Sequence, residues 1–143
     1  MKRRLIVLLS FALLWLVCGL SACDRFGAHP TSDPSAILLS FERNGGIAGF
    51  QDRLVVHADG EYQLTHRVQT EHSGALSAEW CVQLQTWQAR FSAFTLTLED
   101  NPGGPDNMTR KLVWSGTGTT KSSEAEQRQI FDWASELLVK LSG

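Results

Sequence analysis

Cysteine is scarce in this chain of 143 residues: there are three, at positions 18, 23 and 81. Two of them lie in or beside an apolar leader. Cys81 is then alone in the body, which excludes an internal disulfide framework. Basic charge is not in excess. Thirteen Lys and Arg stand against 15 Asp and Glu, so the chain lacks the electrostatic footprint of a nucleic-acid binder. Past residue 20 there is no long apolar run, which excludes a multi-span membrane protein. The motifs of catalysis are also missing. No H-x-x-H, H-E-x-x-H or C-x-x-C spacing occurs, and no G-x-S-x-G elbow. His57 and His66 flank Asp59-Gly60 and could face each other across a hairpin, but a third ligand is not evident. Cys81 reads as a small core residue. The expectation is a protein that is not an enzyme and carries no resident metal or cofactor.

What is present begins with an address. Met1-Lys2-Arg3-Arg4 precedes an apolar stretch from Leu5 to Leu20, the basic and hydrophobic regions of a secretion signal. Leu20-Ser21-Ala22-Cys23 then resembles the bacterial lipobox. This predicts a signal peptide over 1–22 and lipidation of Cys23, with the mature chain anchored to a membrane on its extracytoplasmic side. Two or more acyl chains make such anchoring stable. Asp24 resembles the residue that favours inner-membrane retention in proteobacterial lipoproteins. Removal of residues 1–22 takes three of the 13 basic residues and none of the 15 acidic ones, leaving a charge of −5. Residues 23–35, with two prolines and few apolar groups, read as the lipidated Cys and a flexible tether.

Periodicity starts at residue 36. Ile37, Leu39 and Phe41 alternate with Leu38, Ser40 and Glu42 as in a strand, and residues 52–58 form a second. Asp59-Gly60 signals a hairpin. Tyr62, Leu64, His66 and Val68 return, and His72-Ser73-Gly74 closes the turn. Trp80, Leu84, Trp87, Phe91 and Phe94 make one helical stripe behind Ser77 as N-cap, with the helix ending near Ala93. Residues 95–99 are extended and 100–107 a loop. Met108, Arg110, Leu112 and Trp114 line one side of a further strand. Ser123-Glu124-Ala125-Glu126 is a capping box opening a helix to about Leu141. The fold class expected over 36–143 is α+β, an antiparallel sheet of four to five strands with two helices packed on one face.

One stretch stands apart: Arg43-Asn44-Gly45-Gly46-Ile47-Ala48-Gly49-Phe50. No Lys-Ser or Lys-Thr follows it, so it is not a P-loop. A strand and not a helix comes next, so it is not a dinucleotide fingerprint. It is either a bulged connection between strands or a binding loop. In the second case Ile47 and Phe50 offer apolar contact, the glycines offer backbone amides, and Arg43 and Asn44 offer polar anchors.

The run Leu39 to Phe50 resembles the opening of the emfourin family, bacterial inhibitors of the protealysin type. Leu76-Ser77-x-Glu79 with Leu84 and the Phe91/Phe94 pair is similar to the central helix of that family. Asp106, a strand, a turn and a Leu-rich terminal helix resemble the remainder, over about residues 37–141. Arg110 stands where the family often has an aromatic. The resemblance implies an inhibitor of thermolysin-like metalloproteases, with Arg43, Asn44, Gly45, Gly46, Ile47, Ala48, Gly49 and Phe50 as its contact surface and a bacterial metalloprotease as its partner. The alternative is a non-catalytic envelope scaffold using the same loop on a different protein.

Overall fold

Alternating apolar side chains on four central strands need cover on one face, and two amphipathic helices supply it. The computed structural model describes residues 33–67 and 69–142. Cys23, the expected signal peptide and most of the expected tether lie outside the described residues. Six strands form one antiparallel sheet: β1 Ile37–Gly45, β2 Phe50–His57, β3 Glu61–His66, β4 Gln69–Ala75, β5 Ser92–Asp100 and β6 Met108–Thr117. Their order is β4-β3-β2-β1-β6-β5, so β1 is central. Helix α1 is Ala78–Arg90 and α2 is Glu124–Leu141. The α+β class is as expected, with one strand more than the upper figure.

The extra strand is β4. Gln-Thr-Glu-His-Ser-Gly-Ala has no apolar alternation, yet it pairs along β3 from Glu61↔Ala75 to His66↔Gln69. Polar edge strands are common because they discourage pairing with other chains. The turn expected at His72–Gly74 therefore falls earlier, at Arg67, whose φ is +47°. Thr119–Lys121 forms no strand; only an isolated bridge, Phe91 to Thr120, is made.

Leu39 and Phe41 pair with Val56 and Leu54 on one side and with Trp114 and Leu112 on the other. All six are at most 1% exposed. Leu38, expected to face outward, is buried as well. The β1–β2 register slips between Ile37 and Leu39, and this bulge turns two successive side chains inward. Burying each large apolar side chain contributes about 1.5–3 kcal/mol.

The helices run antiparallel across this face. Trp133 of α2 packs on Trp80 and Trp87 of α1, with centroids 5.0 and 5.4 Å away. Arg90 meets Glu126 at 2.6 Å. Phe131 sits edge-on against Phe41 of the sheet at 5.1 Å. Of the residues expected on the buried face of α2, Ile130, Ala134, Leu137 and Leu138 are buried, and Trp133 and Leu141 pack partly against the core, which Phe131 joins. Cys81 is a core residue, its Sγ 3.7 Å from the Leu76 carbonyl oxygen.

Helix α1 stops at Arg90 and not near Ala93. Its C-terminal carbonyls are taken by a distant segment. Gly118 N–H donates to the Gln88 oxygen at 2.9 Å, and Thr120 N–H to that of Arg90 at 3.2 Å. The chain then turns extended, so Phe91 ends buried beside the helix and Phe94 stacks on Trp114 from β5 at 6.4 Å.

Candidate functional site

Antiparallel pairing brings three connections to one end of the sheet: 46–49 between β1 and β2, the turn at Arg67 between β3 and β4, and 101–107 between β5 and β6. Residues 33–36 lie at the opposite end. There Ala58 and Asp59 of the β2–β3 turn donate N–H bonds to the carbonyls of Ala36 and Pro34.

The glycine-rich stretch is a hairpin. Arg43, Asn44 and Gly45 belong to β1, Gly46, Ile47, Ala48 and Gly49 form the turn, and Phe50 opens β2. Gly45, Gly46 and Gly49 all have positive φ, +98°, +70° and +63°. Gly45 is also hemmed in, since a Cβ there would lie 2.4 Å from the Asn107 carbonyl oxygen. That oxygen accepts the Gly46 N–H at 2.9 Å, tying the hairpin to the 101–107 loop. Gly49 N–H closes the turn onto the Gly46 oxygen at 3.0 Å. On the other flank, Arg67 donates its backbone N–H to Gln51 and its guanidinium to the Ala48 oxygen at 3.3 Å.

The tip is open to solvent. Ile47 is 90% exposed, and Asn44, Ala48 and Gly49 are exposed beside it. Phe50 is half-buried. Arg43 differs from the expected free polar anchor. It points to the helix-side face and grips Asp52 through Nε at 2.8 Å and a second, shorter contact from Nη2. Its guanidinium also stacks 4.0 Å over the Phe50 ring. Asp52, 3% exposed, takes His66 Nδ1 on its other oxygen. A carboxylate this deeply covered requires partners, and it has them on both sides. Arg43 thus braces the hairpin base.

From the sequence, His66 reads only as facing His57 and residues 100–107 only as a loop, and Asp52 does not read as a site residue. The signal was available for Asp52: strand alternation puts it on the same face as Leu54 and Val56, where a charge calls for a partner. Asn107 acts through its backbone carbonyl and Arg67 through its backbone N–H and a guanidinium bond to a distant carbonyl, and neither leaves a local signature.

His57 and His66 do not face each other. His57 pairs with Ile37, its Nδ1 lying 2.7 Å from the Ser35 oxygen, and His66 sits opposite Asp52. Among the described residues no group of three His, Cys, Asp or Glu is placed to hold a metal. No helix among them is long and apolar enough to cross a membrane. Among the described residues, depressions lie elsewhere. One of about 690 Å³ lies between the helices by Trp80 and Trp133. One of about 370 Å³ at the β3–β4 edge is lined by His57, Glu61, Tyr62 and Ser73, among others. Neither touches the hairpin. No family model, curated protein or solved structure matches this chain.

Proposed function

We propose that this domain is a non-catalytic protein-binding module that docks a partner on its glycine hairpin, held at the extracytoplasmic face of a membrane by lipid on Cys23. The partner proposed is a thermolysin-like metalloprotease, which the hairpin inhibits. The partner assignment comes from the resemblance of residues 39–50 to emfourins. The docking assignment comes from one observation: Ile47 is 90% exposed at the tip of a hairpin whose base is stapled on both flanks. An exposed branched apolar side chain on a braced turn is suited to fill an apolar pocket. The ordering cost of docking is reduced because the turn is already held.

The experiment is a titration of the full chain, in nonionic detergent, against a thermolysin-like protease and a peptide substrate. Loss of peptidase activity at or below micromolar chain is expected, and Ile47→Asp should relieve it. Full activity at micromolar chain would overturn the protease assignment. Ile47-dependent capture of one consistent, different envelope protein would then favour the scaffold reading.

A further inference from the structure

The two edges of the sheet are built differently. β4, at one edge, carries Glu71, His72 and Gly74, and a register shift between Leu64 and Thr65 interrupts its ladder with β3. Charge and irregularity of that kind discourage a further strand. β5, at the other edge, pairs with β6 alone among the described residues, and its register shift falls at its start, between Ser92 and Phe94. Residues 93–98 read Ala-Phe-Thr-Leu-Thr-Leu, without charge, proline or glycine. Phe94 and Leu96 pair with Trp114 and Leu112 of the core, so Phe94, Leu96 and Leu98 lie on the helix side, and all three are half-buried. Ala93, Thr95, Thr97 and Glu99 alternate with them and are exposed.

The ends of the open stretch are fixed. Ser92 has given its N–H to the Thr120 oxygen at 2.9 Å. Asp100 is held by Arg110 at 2.8 Å, and Asn101, with φ +63°, leaves the extended run. Residues 93–99 remain, and Leu96 is their midpoint. Antiparallel pairing of this stretch with itself about Leu96 sets Leu96 against Leu96 and Phe94 against Leu98 on one face. On the other face it sets Thr95 against Thr97 and Ala93 against Glu99, so no like charges meet. A centre at Thr97 would set Phe94 against Asp100 and Thr95 against Glu99. A centre at Thr95 would require Ser92, whose N–H is taken. A slip of one residue would put leucine against threonine and break the apolar row.

We propose that β5 is a self-pairing edge and that a second copy of this chain occupies it, related by a two-fold axis at Leu96, so that two sheets join into one. The backbone ladder holds the copies together, and the half-buried row of Phe94, Leu96 and Leu98 gains cover from its own symmetry mate. A seam of one strand pair is small beside a standard interface, so the pair is a weak one that forms at high concentration. The proposal goes beyond the binding reading and stands without it. β6 and β1 separate β5 from β2, so pairing leaves the hairpin free. Antiparallel pairing also puts the two Ile47 tips at opposite ends of the joined sheet.

The test mixes full chains carrying Thr95→Cys with full chains carrying Thr97→Cys, in nonionic detergent under a glutathione redox couple. Directly opposed residues lie about 4.5–5.5 Å apart at Cβ, close enough to be drawn into a disulfide, whereas diagonal ones lie about 7–8 Å apart. Positions 95 and 97 are opposed only between the two variants. The mixture should give at least about fivefold more disulfide-linked dimer than either variant alone, with the unaltered chain setting the background from Cys23 and Cys81. Sharing a micelle raises all of these alike, so the excess reports the register. The double variant Thr95→Lys/Thr97→Lys sets lysine against lysine on an exposed face. It should turn a concentration-dependent dimer in sedimentation into a monomer with an unchanged far-UV spectrum. A mixture that links no better than its components would overturn the pairing. An unaltered chain that stays monomeric at hundreds of micromolar would overturn it too, and would leave the edge to a strand of another protein.

Discussion

Gly45 and Gly49 sit at the two ends of the same turn, both with positive φ, but their surroundings differ. A Cβ at Gly45 collides with the Asn107 carbonyl oxygen, which cannot retreat without losing its bond to Gly46. Around Gly49 there is nothing within 4 Å. Gly45→Ala should therefore cost more than about 2 kcal/mol in urea unfolding, combining backbone strain with a steric clash. Gly49→Ala should cost about 1–2 kcal/mol, the left-handed penalty alone. Asp52 is the other decisive single residue. Asp52→Ala leaves Arg43 half-buried without its counter-charge and frees His66, a loss of about 3 kcal/mol in the same measurement.

Among the elements, what the sequence shows depends on whether the cause is local. The capping box of α2 is local and is found as read. The Ser123 hydroxyl accepts the Glu126 N–H at 3.3 Å, and the Glu126 carboxylate accepts the Ser123 N–H at 2.8 Å. Ser123→Ala should cost about 1 kcal/mol. The same contacts, first the Ser123 backbone N–H, then its hydroxyl, and lastly Arg90, hold the Glu126 carboxyl below its ordinary value. A depressed carboxyl stabilises the fold at pH above its unfolded value, about 4.3, and the contribution fades as pH falls through the folded value. Amide-exchange protection at residues 124–127, relative to the intrinsic rate at each pH, should accordingly fall on acidification below about pH 4, and Glu126 should titrate nearer its ordinary value in Ser123→Ala. Ser77, by contrast, occupies the N-cap of α1 but makes no side-chain bond there. Other departures have non-local causes. The end of α1 is fixed by Gly118 and Thr120 from far along the chain. β4 is held by backbone pairing that its side chains do not announce, and the inward turn of Leu38 comes from a register slip. Of the hairpin, the glycines and Ile47 were legible. The bracing role of Arg43 was not, because it depends on Asp52 across the strand pair.

At the scale of the whole molecule, stability and recognition occupy different regions. Phe131 joins α2 to the sheet through Phe41, and Phe131→Ala should cost about 3–5 kcal/mol. Ile47 touches little, so Ile47→Asp should leave the urea midpoint within about 0.5 kcal/mol of the parent while weakening partner binding at least thirtyfold. Separating these two readouts distinguishes a recognition residue from a structural one. The placement of residues 33–36 at the pole opposite Ile47 has a mechanical consequence. A tug between whatever precedes Asp33 and a partner gripping the tip travels lengthwise along β1, the middle strand, whose bonds to β2 and β6 lie crosswise to that load. Those bonds then resist together in shear and do not peel one after another, so the domain is built to stay folded under tension.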